Sequence, residues 1–421
     1  MGLNIDRRTF LKQLAVQAGS VPSLTPFSYG PTVMEASPDS QSMNLLSGAR
    51  GRTLVVIQLG GGNDGLNTVV PYSQQEYYQA RPSLAIKPSE LLMIDGEVGL
   101  HPSMGGLMNL FKSHNAAIIQ GVGYANPNRS HYESTLIWES ASTDSSLAGG
   151  WLGRYLDAAR RTDPKTQAVN VGGLLPLTLV GWTQRGLSMD SLDRFRVYPT
   201  PDAQSPTQDE ETLNLMNEVA CISCQEYGAL VAAMMQAGLD ATAASDIITQ
   251  AASKYQTNAT YPNDDFGNRM KLAAQIANSN LNPKIVYVEL GGFDTHSNQA
   301  GQQANLLKTV SDGVAAFYQD MSDKGRANDT LIMTFSEFGR RVQENGNGGT
   351  DHGTAEPLFA VGGKVSSNMY GTTPSLSDLD QGDIKYGVDF REFYASVLDD
   401  WLGVDSSTIL GQKFNKLSVF Q

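Results

Sequence analysis

The hydrophobic residues of the chain fall into short, nearly continuous runs, and amphipathic segments separate these runs. Residues 53–59, 116–123, 284–290, 329–337 and 356–363 are apolar over most of their length, which is typical of strands buried on both faces. Residues 305–325 carry apolar side chains at helical spacing. Alternating strands and helices of this kind predict an α/β fold, a three-layer sandwich with a central, mostly parallel sheet.

Two further segments have a helical pattern. Residues 130–142, SHYESTLIWESAS, are predicted to open a helix at Ser130, because Ser is a good N-cap and Glu133 stands three residues later, as in a capping box. Residues 210–277 alternate Ala, Met, Leu and Gln at helical spacing. This helical block is either a cap over the sheet edge or a helical layer on the sheet.

The first 50 residues differ from the rest, being rich in Ser, Pro and Gly. The stretch NIDRRTFLKQLA carries Arg7-Arg8 followed by Phe10, Leu11 and Lys12, the pattern of a twin-arginine export signal. The apolar stretch that should follow is weak and broken by prolines, so a basic N-terminal arm is the alternative. We expect a leader at 1–50, a single domain at 51–421, a partnership with the twin-arginine export machinery, and a periplasmic or secreted mature protein without a membrane span.

Composition excludes one class of partner. With 43 acidic against 30 basic residues, the net charge of −13 offers no phosphate-neutralising surface, so we expect no nucleic-acid partner. The two cysteines, Cys221 and Cys224, are too few for a four-cysteine zinc site. They are interpreted as ordinary thiols or a local disulfide.

Polar clusters follow several of the predicted strands. They are Asn63-Asp64, Arg129-Ser130-His131, Asp294-x-His296, Ser336-Glu337 and Asp351-His352. Ligands gather where the carboxyl ends of parallel strands meet, and these clusters hold three of the five histidines of the chain. Taken singly, each is as easily a turn, a cap or a surface ion pair. Together they indicate a metal site at one edge of the sheet.

The residue types in these clusters restrict the metal. Asp, Glu and neutral His suit Zn²⁺, Mn²⁺ or Fe, and carboxylate-rich sites also take Mg²⁺ or Ca²⁺. Asp294 and His296 are two residues apart, so in an extended segment they point the same way and could share an ion. A rival motif, Gly60-x-Gly62-x-x-Gly65, fits the dinucleotide fingerprint, but no helix pattern or distant acidic strand end accompanies it. A nucleotide-cofactor oxidoreductase is therefore a minor alternative.

Over nearly its whole length the chain resembles the exported bacterial family known as domain of unknown function 1501. The segments that carry the resemblance are LGGGNDGLNTVVPY, NRSHYES, GGFDTHSNQ, TFSEFGRR, GTDHGTAEPLFAVGG and VDFREFYASVLDDWLG, besides the twin-arginine start. The family is in turn similar to the alkaline phosphatase and sulfatase superfamily. That likeness implies an alkaline-phosphatase-like sandwich with one or two divalent ions at the strand ends.

By position, the likeness implies a role for each cluster. Asp64 and Glu337 would bind one ion, while Asp294, His296 and His352 would bind the other. Ser130 would be the nucleophile. Phe338 stands where the superfamily has a histidine, so His131 or Asp351 would supply the missing ligand.

These roles predict hydrolysis of a small anionic ester, of phosphate and less favourably of sulfate. Arg129 or Arg340 would clamp the anion with a bidentate fork. The alternative from another class is an exported binding or assembly protein that keeps the fold without catalysis.

Overall fold

The structure, a computed structural model, describes residues 51–144, 146–159, 167–189, 248–250 and 252–421. All elements given below fall in one of the two units into which the chain divides, that of residues 39–191 and 251–421. The leader at 1–50, Cys221 and Cys224, and all of the helical block up to residue 247 lie outside the described residues. The predicted division into a leader and a single domain therefore stays a prediction.

The described strands are β1 (Thr53–Leu59), β2 (Val69–Val70), β3 (Leu92–Met93), β4 (Gly99–Leu100), β5 (Ala116–Gly123), β6 (Ala168–Val171), β7 (Leu187–Met189), β8 (Ile285–Leu290), β9 (Thr330–Phe335), β10 (Arg340–Glu344), β11 (Thr350–His352), β12 (Glu356–Gly362), β13 (Met369–Tyr370), β14 (Leu379–Asp380), β15 (Asp383–Ile384) and β16 (Val388–Asp389). The described α-helices are α1 (Gly65–Thr68), α2 (Gln75–Ala80), α3 (Gly105–Lys112), α4 (His131–Ser140), α5 (Trp151–Ala159), α6 (Asp265–Ala277), α7 (Gln299–Asp323), α8 (Phe390–Ser396) and α9 (Ser406–Leu410). A π-helical stretch, Val397–Leu402, continues α8. Among these described helices, none is both long and apolar enough to cross a membrane.

A nine-stranded sheet organises the unit, in the order β13-β5-β12-β9-β1-β8-β6-β7, with β16 also pairing with β5. Every pairing in this sheet is parallel except the two that β12 makes, with β9 and with β5. The predicted mostly parallel α/β sandwich is confirmed. The antiparallel direction of β12 was not predictable from its apolar run, because a buried strand has the same pattern in either direction.

Strand β1 lies between β8 and β9 and is buried along its whole length. Leu54 and Val56 belong to one core cluster with Trp138 of α4 and Phe393 of α8, so α4, α5, α8 and α9 cover that face. Helix α6 packs on β8 and on α7, and α7 packs on α3, which also contacts β5. Helices therefore lie on both faces of the sheet, and this is why its central strands are apolar on both sides.

The parallel direction of β1, β5, β8 and β9 brings their carboxyl ends to one edge. The amino end of β12 meets them there, because Glu356 pairs with Val122 near the end of β5. The hairpin β10–β11 follows β9, with Arg340 opposite His352. The chain thus gathers the predicted polar clusters at one edge of the sheet.

Candidate metal centre

Three imidazole rings converge on one carboxylate oxygen at this edge. The Oδ1 atom of Asp294 lies 3.0 Å from Nε2 of His296, 3.2 Å from Nε2 of His352 and 3.5 Å from Nε2 of His131. His131 is the first residue of α4, His352 ends β11, and Asp294 and His296 follow β8. The candidate ligand atoms of His131, Asp294 and His352 all lie within 4.8 Å of one another. We call these four residues the centre.

The other nitrogen of each ring is held by an oxygen acceptor. Nδ1 of His131 is 2.6 Å from Oε1 of Glu337, and Nδ1 of His296 is 2.9 Å from Oδ1 of Asp351. Nδ1 of His352 is 2.8 Å from the carbonyl oxygen of Arg129. A carbonyl or a carboxylate only accepts, so each Nδ1 carries the proton and donates it. In the neutral form of each ring, the lone pair of Nε2 is then directed at the centre.

This arrangement is complementary to a cation. Nε2 of His131 is buried and has no hydrogen-bond partner among the described residues. Nε2 of His296 and Nε2 of His352 lie 2.9 Å apart, so their lone pairs face each other with no proton to share. An ion between these nitrogens would satisfy all of them, and three imidazoles with one carboxylate are a donor set that suits zinc and similar divalent metals. The residues of the centre therefore fit a metal.

Asp294 remains ionised at neutral pH. Burial by itself raises the pKa of this carboxyl, but the hydrogen bond and the charge of Arg340 are the largest opposing effects, and the pKa is lowered to about 2. Nη2 of Arg340 lies 2.7 Å from Oδ1. The centre thus keeps a permanent negative charge.

Arg340 is buried and fully engaged, which does not match its predicted role as an anion clamp. Its guanidinium donates to the carbonyl oxygens of Gly62 at 2.7 Å, Thr350 at 2.8 Å and Phe293 at 3.0 Å, and also to that of Gly61. These carbonyls belong to the segments that follow β1 and β8 and to β11. Arg340 therefore ties three segments around Asp294.

The side chain of Arg129, the other predicted clamp, is also engaged. It forms an ion pair with the buried carboxylate of Asp383, which accepts from both Nε and Nη2. What Arg129 contributes to the centre is its carbonyl oxygen, the acceptor for His352.

Glu337 and Asp351, predicted as metal ligands, do not belong to the centre but form hydrogen bonds with two of its histidines. Glu337 is buried, and its Oε1 accepts from the Gly61 amide at 2.9 Å as well as from His131. Asp351 is exposed, and hydrogen bonds from His296 and Asn345 lower its pKa. Both carboxylates orient an imidazole, which is the usual second contact of a metal-bound histidine.

Asp64 is kept away from the centre by its own partners. Both of its carboxylate oxygens accept from the guanidinium of Arg81, and Oδ2 also accepts from the amide of Gln299. Asp64 and Arg81 are fully buried side chains. The Asp64 carboxylate thus accepts three hydrogen bonds, and its charge is compensated by the buried guanidinium of Arg81.

Ser130 occupies the N-cap position of α4, as predicted, and is exposed. Its hydroxyl makes no capping hydrogen bond, contrary to the expected capping box. The second bond of a capping box is also missing, because the Ser130 amide, which Glu133 would bind, donates to Oδ1 of Asn128 at 2.8 Å. The hydroxyl beside His131 is left free of a capping role.

The glycines after β1 serve close packing. Gly61 has φ +116° and Gly62 has φ +75°, which favour glycine. A Cβ at Gly61 would come within 2.4 Å of the Asp294 amide nitrogen, and one at Gly62 within 2.4 Å of the Phe338 ring. The helix that follows, α1, has only four residues, so the dinucleotide fingerprint lacks the helix on which a pyrophosphate would sit.

Three residues that shape the site were not predicted. They are Arg81 and Gln299, which hold Asp64, and Phe338, whose ring contacts those of His131 and His352 at 4.8 and 4.7 Å between centroids. Gln299 and Phe338 lie within or beside clusters that were identified. Arg81 follows a short helix with no local signal, and only the fold brings it to Asp64.

The family model described as "Protein of unknown function (DUF1501)" matches residues 51–415. No curated protein sequence matches the chain significantly. Solved structures similar to it include a protein in the alkaline phosphatase superfamily from Vibrio parahaemolyticus, at 9% identity over 97% of this chain and 78% of that one, with a TM-score of 0.35. PsFucS1 sulfatase from Pseudoalteromonas sp. is similar at 10% identity, 90% and 75% coverage and a TM-score of 0.35. Phosphonate monoester hydrolase of Agrobacterium radiobacter is similar at 9% identity, 86% and 78% coverage and a TM-score of 0.37.

Proposed function

The chain belongs to the DUF1501 family, and we propose that this member is a metal-dependent hydrolase of phosphate esters. The observation that carries the proposal is the convergence of the Nε2 atoms of His131, His296 and His352 on the carboxylate of Asp294. Holding these nitrogen atoms and this carboxylate together costs free energy unless a cation is bound between them. A divalent ion held there would supply Lewis-acid chemistry, lowering the pKa of a nearby hydroxyl and polarising a phosphoryl oxygen.

Ser130 is the proposed nucleophile. Its exposed hydroxyl has no capping role and precedes His131 directly. In the first step Ser130 Oγ loses its proton and bonds to phosphorus while the bond from phosphorus to the alcohol oxygen breaks, and the alcohol leaves with a proton. Water then bonds to phosphorus, the bond from phosphorus to Ser130 Oγ breaks, and inorganic phosphate leaves while the hydroxyl regains a proton.

Helix α4 supports this assignment. It has ten residues, and the amide groups of its first turn favour an anion at its N-terminus. A phosphoryl group at Ser130 would lie at that positive end. Sulfate esters are the less favoured substrates, because the sequence has no C/S-x-P-x-R motif from which sulfatases of this superfamily form their oxidised nucleophile.

The test uses protein purified without chelator. We expect metal to co-purify and an aryl phosphate to be hydrolysed. Ser130→Ala should abolish turnover and keep the metal content, whereas His352→Ala should lose both. Ser322→Ala is the matched control, because this exposed serine lies near the far end of the 25-residue helix α7, on the order of 30 Å from its start. Turnover unaffected by Ser130→Ala would rule out the nucleophile.

A binding protein is the second candidate, and one observation favours it. The guanidinium groups of Arg129 and Arg340, the expected anion clamps, are committed to Asp383 and to backbone carbonyls. If metal is bound and neither phosphate nor sulfate esters are turned over, the chain is a metal-dependent binding protein.

We also propose export by the twin-arginine machinery to the periplasm or beyond. The support is the Arg7-Arg8 pattern. Replacing both arginines by lysine should leave the protein in the cytoplasm when cells are fractionated. Unchanged export of that variant would exclude this route.

A further inference from the structure

A cavity of about 340 Å³ lies beside the centre. The lining residues are Gly123, Tyr124, Asn126, Pro127, Phe338, Thr354, Ala355, Asp380, Ile384, Lys385 and Tyr386. One wall is the segment that leads from β5 to Ser130, and the opposite wall is the hairpin β14–β15 with the residues after it. The cavity thus adjoins the loop that carries the proposed nucleophile.

The cavity reaches the centre at Phe338. This ring lines the cavity, and its centroid lies within 5 Å of those of the His131 and His352 rings. Phe338 follows Glu337, the acceptor for His131. A ligand in the cavity would therefore contact a side chain that directly supports two imidazoles of the centre.

The two walls are fixed to each other and to the loop. Arg129, next to Ser130, forms its ion pair with Asp383 of the hairpin. The Thr354 hydroxyl donates to the carbonyl of Ile384 at 2.6 Å. The hydroxyl of Tyr124 accepts from the Asn128 amide at 3.0 Å. The cavity is consequently preformed, as small-molecule sites usually are.

The lining restricts what can bind. Tyr124, Phe338 and Tyr386 supply aromatic surface, while Asn126 supplies an amide. Lys385, the cation of the lining, is paired with Asp378, and Asp380 has no ion-pair partner in the part of the chain that the structure describes. An anionic group is disfavoured there. The volume is near the lower end of the roughly 300–1,000 Å³ typical of ligand pockets, which is enough for one ring.

We propose that this cavity binds the alcohol portion of the substrate, and that this portion is an uncharged, hydroxyl-bearing ring, so the substrate is a sugar phosphate. The inference rests on the proposed function, because the phosphate is assigned to Ser130 and the centre. Asn126 and Asp380 bind the hydroxyls, and the aromatic surface contacts the apolar face of the ring.

The experiment measures binding apart from turnover. Metal-loaded, full-length Ser130→Ala protein is titrated calorimetrically with a hexose 1-phosphate, with methyl phosphate and with a nucleoside monophosphate. We expect the hexose 1-phosphate to bind tightest. Adding Tyr386→Ala should weaken its binding about tenfold and leave methyl phosphate unchanged, while Tyr386→Phe should retain it. Trp182→Ala, at an exposed aromatic residue outside the cavity, is the control.

The outcomes separate this inference from the proposed function. Selective hexose phosphate binding that depends on Tyr386 supports the cavity even if wild-type protein turns over no ester. Equal binding of all three probes, or an equal effect of Tyr386→Ala on all three, overturns the cavity assignment even if wild-type protein is an active phosphatase. No binding of any probe also overturns it.

Discussion

Two carboxylates end neighbouring parallel strands of the sheet, and they have opposite surroundings. Asp64 follows β1 after Gly61 and Gly62, and Asp294 follows β8 after Gly292. The side chain of Asp64 is 0% exposed and accepts two hydrogen bonds from Arg81 and one from Gln299. The side chain of Asp294 is 47% exposed and faces three imidazole nitrogens.

The difference shows that the local sequence sets the position of such a residue and distant residues set its role. Arg81 supplies a permanent cation to Asp64, so this carboxylate is compensated without an ion. Arg340 also donates to Asp294, but with one bond, and the histidines leave room for a second cation. We therefore assign Asp64 to stability and Asp294 to metal binding, and the predictions below test that division.

The largest expected effect is the loss of folding stability when Asp64 is replaced. Asp64→Ala leaves the buried guanidinium of Arg81 without its counter-charge, so the free energy of unfolding should fall by about 3–5 kcal/mol. Denaturant titration of the metal-free protein measures this. Asp351→Ala, which removes an exposed carboxylate, is the control. A loss at Asp64 no larger than the loss at Asp351 would contradict the assigned role.

The second effect is acid sensitivity in the same region. Burial lowers the pKa of His101 from 6.5 to about 4, although Asp64 opposes this shift. Because the folded pKa lies below the unfolded pKa, stability from neutral His101 is complete above pH 6.5 and is lost as pH falls toward 4. The loss should reach about 3 kcal/mol, and His101→Gln should remove this part of the pH dependence. A variant that keeps the same slope between pH 6.5 and 4 would show that another group titrates.

The long strands of the nine-stranded sheet were predictable from the sequence. β1 and β5 were predicted with the observed bounds, and β8, β9 and β12 within two residues at each end, because strands buried on both faces have continuous apolar runs in either direction. The helix α7 begins six residues before the predicted one, since its first turns are rich in Gln and Ala and carry little apolar periodicity. The short strands that flank the site, such as β10 and β11, have no such pattern.

The third effect is on metal affinity at Asp294. Asp294→Asn removes the charge of the centre and keeps an oxygen acceptor for Arg340, so zinc affinity should fall about a hundredfold, a larger loss than removing an orienting partner alone. The free energy of unfolding of the metal-free protein should change by only about 1 kcal/mol. Zinc titration against a competing chelator and denaturant titration provide the two readouts. A stability loss as large as that of Asp64→Ala would erase the contrast between the two residues.

The smallest effects belong to the orienting carboxylates. Glu337→Gln should lower zinc affinity about tenfold, because a glutamine oxygen holds Nδ1 of His131 less strongly. Asp351→Asn should have a smaller effect, since Asp351 is exposed and water can replace it. If both changes abolish zinc binding, the two carboxylates are direct ligands and the present assignment fails.

The sequence did not show which of the predicted side chains face the metal position and which only orient the histidines. His131, Asp294, His296 and His352 are all predicted from the sequence, because each lies close to a predicted strand or opens a helix. Which atom of each side chain faces the centre depends on Glu337, Asp351 and the Arg129 carbonyl. Those partners lie from 55 to 223 residues away in the chain, and no local pattern encodes such a pairing.

X-ray absorption spectroscopy of the zinc-loaded protein would show whether three imidazoles and Asp294 hold a metal. We predict one bound zinc with a first shell of nitrogen and oxygen at about 2.0–2.1 Å and outer-shell scattering from three imidazole rings. His131→Ala, His296→Ala and His352→Ala should each remove one ring from the spectrum or abolish binding. Zinc bound without imidazole scattering, or no zinc bound at all, would contradict the account.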